Sequence, residues 1–312
     1  MAVDIRAERK RLFTDFLDNS DESVDGKGYR EHVEAMIQED GSRLLVDLAD
    51  LRAFDEDLQR KLRKNPVEYM DAFEDALTEV VHSIDAKYIK EGDRVHVGFE
   101  GQFGAHRVSP RELLSEYLSS MVQVEGIVTK CSLVRPKVVK SVHYADVTKQ
   151  FTSREYRDIT SNSGAPTGSS YPTRDNDGNL LTTEYGLSVY ADHQTLAIQE
   201  MPERAPPGQL PRSVDVIIEN DLVDTCKPGD RVQITGIYKA IPTRSQGNHG
   251  GTFRTVLVAN GVKTMTRDQS GLELLGDDLK EIKSIAKRKD LFDLLADSLA
   301  PSIFGHQSIK KA

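Results

Sequence analysis

The 312-residue sequence predicts an α+β protein of more than one domain, and three observations predict it. Apolar residues recur at helical spacing through the first hundred residues, then at every second position in Val- and Ile-rich runs from Met121 onwards. Two of those runs share the pattern Gln-x-x-Gly-Ile, which places Gly126 and Gly236 in mid-strand. The formal net charge of −9 belongs to the helical part, where residues 1–100 hold 25 Asp and Glu against 15 Lys and Arg. The rest of the chain is close to neutral.

The helical part, residues 1–108, reads as a small bundle. Ile5, Leu12, Phe13, Phe16 and Leu17 form one apolar stripe, Tyr29, Val33, Met36 and Ile37 a second, and Phe54, Leu58 and Leu62 a third. Asn65-Pro66 supplies an N-cap and a first-turn proline for a longer helix, with its stripe at Val67, Met70, Phe73, Leu77, Val80, Ile84 and Tyr88. "RVHVGFEG" then reads as a strand. Ser109-Pro110 with Glu112 makes a capping box that predicts a short helix through Leu118, at the joint between two domains.

Residues 109–268 read as all-β. "MVQVEGIVTKCSLV", "KVVKSVHYA", "LSVYAD", "QTLAIQEM", "SVDVIIEN", "DRVQITGIYKAI" and "TFRTVLVANGVKTM" alternate apolar and polar residues between Pro, Gly and Asp. A mid-strand glycine marks a bulge or a barrel corner, so the two glycines favour a small closed barrel of oligonucleotide-binding (OB) topology. A β-sandwich with two unrelated glycines is the alternative. Residues 145–185 form a polar insertion, and residues 241–253, "IPTRSQGNHGGTF", join two strong strands as a projecting β-hairpin. Helical periodicity returns in residues 269–312.

No enzyme signature is present. Gly26-Lys27 is followed by glycine and opens no phosphate loop, and there is no G-x-S-x-G, H-E-x-x-H or paired C-x-x-C. Catalytic residues are therefore expected to be none. Cys131 and Cys226 show neither metal spacing nor a disulfide framework, which fits a reduced intracellular compartment. His143 and His193 flank the insertion as lone histidines, a pattern more typical of packing than of metal ligation. No stretch has the length and apolarity of a membrane span or a signal peptide, so no membrane partner is expected.

Binding is the better expectation. Residues 130–157 hold seven basic side chains against Asp146 and Glu155, and no acid lies between Lys239 and Arg254. Two basic segments on a barrel suit a phosphate backbone, although lysine-rich edges also serve to block strand pairing. With no Trp and 6% aromatics, base stacking cannot be the main source of affinity, so contacts should be electrostatic and salt-sensitive. A stand-alone single-stranded DNA binder and a structural interaction module without DNA contact are the rival readings.

Between two strand patterns lies "QEMPERAPPGQLPR", residues 199–212, with Pro202, Pro206, Pro207 and Pro211. Four prolines forbid a helix or a central strand, so the segment is a shaped loop, ordered before it meets any partner. The same stretch, continued to "SVDVIIENDLVDTCKPGDRV", resembles the central signature of the minichromosome maintenance (MCM) replicative helicase subunits. "VEGIVTKCSLVRPKVVKSVHYAD", "TEYGLSVYADHQTLAIQEMPE" and "SLAPSIFGH" resemble more particularly the third-subunit branch of the eukaryotic heterohexamer. The resemblance is strong over the β part and weak over the helical part.

The resemblance implies a helical subdomain, an OB barrel with a zinc-binding insertion, and an AAA+ ATPase after them, assembled as a hexameric ring on DNA. It also implies a nuclear location, other MCM subunits as partners, and replication loading and activation factors as further ones. Two departures stand out. The insertion has no cysteine, so a zinc-finger-like shape held by packing alone is expected, without zinc. The chain ends at "GHQSIKKA", where the family continues into the ATPase, so ATP and Mg would belong to that further domain and this part alone should be inactive. In the family, the segment matching Gln199, Glu200, Pro202, Pro206, Pro207, Gln209 and Pro211 couples the N-terminal and ATPase tiers. The matching hairpin meets DNA in the channel, which makes Arg244 the first candidate, with Lys239, Arg254 and His249 behind it. Lys130, Arg135, Lys137 and Arg212 are candidates for a single-strand surface on the barrel.

Overall fold

The computed structural model describes residues 2–19, 28–89, 94–158, 160, 167, 170–175, 177–245, 248–265, 282–288, 290–299 and 303–311; the side chains of residues 2–4, 19, 243–245 and 248–251 lie outside that description. Phe13 stacks on Phe73 with ring centroids 4.2 Å apart, and Phe16 meets the same ring edge-on. These contacts hold α1 (Ala2–Asn19) on α5 (Pro66–Ile84), whose buried face includes the expected Met70, Phe73, Leu77 and Val80. Pro66 opens α5 at its first turn as expected, but the Asn65 side chain makes no capping bond. Between them lie α2 (Tyr29–Gln38), α3 (Leu48–Phe54) and α4 (Glu56–Lys64). Asp47 caps α3 by accepting from the Ala49 amide, and Asp55 caps α4 by accepting from the amides of Asp57 and Leu58.

The bundle is not purely helical. β1 (Arg43–Asp47) pairs in parallel with β2 (His96–Glu100), the strand expected from "RVHVGFEG". Beyond it, the capping box at Ser109 closes only one turn. Glu112 accepts from the Ser109 amide at 2.8 Å and its own amide donates to the Ser109 carbonyl at 3.0 Å, yet no α-helix follows. A short 3₁₀ turn at Ser115–Tyr117 takes its place, because so short a segment gains too few hydrogen bonds to offset helix nucleation.

Five strands then close a barrel: β4 (Met121–Cys131), β7 (Leu181–Gln199), β8 (Ser213–Glu219), β9 (Arg231–Ser245) and β10 (Asn248–Thr264). β3 (Arg107–Val108) lies beside β4, and β5 (Arg135–Ala145) and β6 (Gln150–Glu155) belong to the connection between β4 and β7. Round the barrel the order is β4, β7, β8, β10, β9 and back to β4, antiparallel except for the parallel pair β8 and β10. In order of sequence these are strands 1-2-3-5-4, the OB arrangement.

Both mid-strand glycines sit where strands cross closely. A Cβ on Gly126 would come 2.5 Å from the Gln199 carbonyl oxygen, and one on Gly236 would press on the Val258 carbonyl oxygen and lie 3.0 Å from the Ala259 Cα. Val122, Val124, Leu196, Ile198, Val216, Ile234 and Leu257 fill the interior. Asn260 joins barrel to bundle: its Oδ1 accepts from the Phe99 amide at 2.9 Å, its Nδ2 donates to the Val97 carbonyl at 2.6 Å, and its carbonyl accepts from Arg43 at 2.9 Å. Arg43 also holds Asp221 with two bonds of 2.7 Å.

Residues 1–266 form one compact unit and residues 267–312 a second. In the second, residues 282–285 are helical, and further helices run over Leu291–Ser298 and Gln307–Lys311. Among the described residues, no helix is long and apolar enough to cross a membrane.

Candidate nucleic-acid interface

In an OB barrel, oligonucleotides bind across strands 2 and 3 and against the loops between strands 1 and 2 and between strands 4 and 5. Here those loops are the β4–β7 connection and the tip between β9 and β10. Both coincide with the basic segments of the sequence. Lys130 is exposed near the end of β4, just after a bulge against β7, and Arg135 is exposed at the start of β5 opposite His193. Arg254 lies largely exposed on β10 and pairs with Asp215 of β8 at 2.6 Å. Phe253, beside it and opposite Pro242, is 59% exposed. The backbones of Arg244 and His249 pair across the β9–β10 ladder, but both side chains lie outside the described residues.

Lys137 and Lys239 occupy a different setting. The Lys137 ammonium lies 2.8 Å from Glu219 and 2.9 Å from Asp158. Burial works against its charge, but the two carboxylates outweigh burial and hold its pKa above the ordinary lysine value. Lys239 donates to the Thr160 carbonyl at 2.7 Å, and burial pushes its pKa down to about 8, with the Lys137 charge adding to the effect. Asp158 and Thr160 belong to the insertion, so both lysines tie it to the barrel. Beside them opens a cavity of about 660 Å³, bordered by Lys137, Tyr156, Asp158 and Glu219 and by Asp71 and Glu74 of α5.

The insertion has its own polar core. His143 is fully buried, with Nε2 2.6 Å from the Ser141 hydroxyl and Nδ1 3.1 Å from the Thr183 hydroxyl. Ser141 is in turn 3.1 Å from the Tyr156 hydroxyl, and Tyr171 packs edge-on to the imidazole. Burial and the charge of Arg154 lower the His143 pKa, so the ring is neutral. A zinc ion does not fit this arrangement, because hydroxyls engage both ring nitrogens and residues 145–185 contain no cysteine. Among the described residues, no group of three His, Cys, Asp or Glu side chains is placed to hold a metal.

The proline loop runs from the end of β7 to the start of β8. Glu200, only 3% exposed, accepts from Arg111, and its amide donates to the Arg212 carbonyl at 2.8 Å. Arg212 is exposed beyond that bond. Pro206 accepts from the Gln209 amide at 3.2 Å, Gly208 turns with φ +79°, and Leu210 stands 89% exposed near the loop's second end. Pro202 and Pro207 are exposed, and Pro211 is half-buried.

Sequence reasoning missed Arg107, Arg111 and Glu125. Glu125 is 3% exposed and accepts from Gln233 at 2.9 Å, with Arg107 and Arg204 beside it. The available signal was an acid set inside an apolar strand, since a buried carboxylate demands partners.

Residues 10–101 match the family model of the MCM N-terminal domain and residues 108–242 that of the MCM OB domain. DNA replication licensing factor MCM3 homolog 1 of Zea mays is 57% identical over 98% of this chain and 40% of its own length. DNA replication licensing factor MCM3 of Oryza sativa subsp. japonica is 57% identical over 98% of the chain and 39% of its own length. DNA replication licensing factor Mcm3 of Drosophila melanogaster is 50% identical over 97% and 36%. The chain thus spans about 40% of the length of these curated relatives.

Proposed function

Since the chain belongs to the MCM family and carries its N-terminal and OB domains in succession, we propose that it forms the DNA-encircling and ring-assembly tier of a replicative helicase subunit. It acts in the initiation and elongation of DNA replication, in the nucleus, within a heterohexameric ring of MCM subunits served by loading and activation factors. ATP and Mg are bound, and ATP hydrolysed, by an AAA+ domain of the longer protein, not by the residues described above. The observation that carries this reading is the coincidence of the two basic segments with the two oligonucleotide-binding loops of an OB barrel.

Within that reading, the β9–β10 tip is the projecting hairpin, and Arg244, His249 and Arg254 meet the DNA backbone there. Lys130, Arg135 and Arg212 extend the track over the barrel. Lys137 and Lys239 serve it indirectly, by fixing a zinc-finger-like insertion built around His143 without zinc. The proline loop, with Leu210 exposed near its second end, is the element that couples neighbouring subunits and tiers.

The test is the affinity of the chain for single- and double-stranded oligonucleotides across a salt series, with Arg135→Ala and Arg254→Ala alongside. Each variant should weaken binding to all sequences alike and reduce the slope of log affinity against log salt by about one contact's worth, ~0.7 for a single strand. Tight binding that ignores salt would instead favour a stand-alone stacking protein.

A further inference from the structure

The connection between bundle and barrel carries two arginines four residues apart, and both reach the proline loop through a buried carboxylate. Arg107 pairs with Glu125, whose other oxygen lies 2.8 Å from Nη1 of Arg204, midway along the loop. Arg111 spans the loop's two ends. Its Nε donates to the Glu200 carboxylate at 3.1 and 3.2 Å, its Nη1 donates to Oε1 of Gln209 at 2.5 Å, and its Nη2 donates to the Leu210 carbonyl at 2.9 Å.

A guanidinium is suited to this task, because its planar fork grips a carboxylate and still has donors for a second group. Glu200 accepts chiefly through Arg111, which holds its pKa below the ordinary value. If Arg111 withdrew, a carboxylate 3% exposed would stay buried without its main counter-charge, which is costly enough to drive the loop base to rearrange. The contact therefore fixes the loop in the arrangement seen here.

We infer that Arg111, with Arg107 beside it, is a positioning residue for the proline loop: the connection acts as a strap that holds the loop closed, and a shift of the connection reaches the loop. The consequence for coupling between subunits rests on the reading above; the latch itself does not, so either can fail without the other.

Amide hydrogen exchange of this chain tests it. Arg111→Ala speeds exchange at the amides of Glu200, Arg204, Ala205 and Gln209 at least tenfold and leaves β4 and β9 unchanged. Arg111→Lys, a point charge that cannot span both ends, restores protection at Glu200 but not at Gln209. Pro110→Gly, which keeps both arginines and loosens the connection, speeds the same amides severalfold. Should Arg111→Ala fail to fold, Gln209→Ala releases one end alone, with fast exchange at residue 209 and a protected Glu200. Unchanged loop exchange in Arg111→Ala, or equal loss in β4 and β9, overturns the latch. Full restoration by lysine overturns the spanning role, and no effect of Pro110→Gly overturns the strap.

Discussion

Lys239 in β9 donates to the backbone carbonyl of Thr160 across 2.7 Å, so a strand of the barrel holds the insertion through a half-buried amine. Its pKa of about 8 lies below the ordinary 10.5, chiefly through burial, so folding disfavours the charged form. Between about pH 8 and 10.5 the unfolded chain keeps a proton that the folded chain has lost, and this group makes stability rise with pH. Urea unfolding at pH 7.5 and 9.5 should show that rise in the wild type against Lys239→Met, in which the contribution is absent. Identical pH dependence in the two proteins would contradict it.

His143 gives the opposite end of the pH scale. Its folded pKa is lowered from 6.5, first by burial and then by Arg154, so its contribution is present above about pH 6.5 and fades as pH falls through the lowered value. Amide hydrogen exchange in β5 and β6, which pair across His143 and Thr152, reports this region during unfolding. Acidification from pH 7 to 5 should destabilise the wild type more than His143→Gln, which keeps hydrogen bonding but does not titrate there.

Gly236→Ala should destabilise the barrel by about 2 kcal/mol or more, because the added Cβ meets backbone atoms of Val258 and Ala259 that cannot move without opening the β9–β10 ladder. Gly186→Ala is the control, since nothing lies within 4 Å of its Cβ, and it should cost less than about 0.5 kcal/mol. Thermal melts of the two variants distinguish a close crossing from an ordinary strand glycine.

Asn260→Ala should cost about 2–4 kcal/mol, because it leaves the Phe99 amide and the Val97 carbonyl without their side-chain partner. The loss should appear as faster hydrogen exchange in β1 and β2, with β6, at the edge of the sheet, least affected.

The parts of the fold legible in the sequence were those written in local spacing. The change of apolar period located the barrel, Gly126 and Gly236 marked its close crossings, and Pro66 marked the start of α5. β1 was not legible, because it offers only Leu44 and Val46 as buried alternating positions and its parallel partner lies some fifty residues away. Of the capping box at Ser109, the Glu112 carboxylate accepts from the Ser109 amide as expected, but the Glu112 amide donates to the Ser109 backbone carbonyl, and a local hydrogen bond cannot by itself sustain a helix. At the candidate site, a basic strip gave no hint that Lys137 and Lys239 would face Glu219 and Thr160, which are distant in sequence. The loop was legible from its prolines, whereas its latch depends on Arg111, 89 residues before Glu200.

If the loops of this barrel hold a nucleic-acid backbone as proposed, binding must depend on their basic residues and on salt. The most direct measurement is fluorescence anisotropy of labelled single- and double-stranded oligonucleotides, titrated with the chain from low to physiological salt, beside Arg244→Ala and Arg135→Ala. Affinity should fall steeply with salt and weaken in both variants, with a shallower salt slope. No binding at low salt, or binding that both variants leave intact, would contradict it.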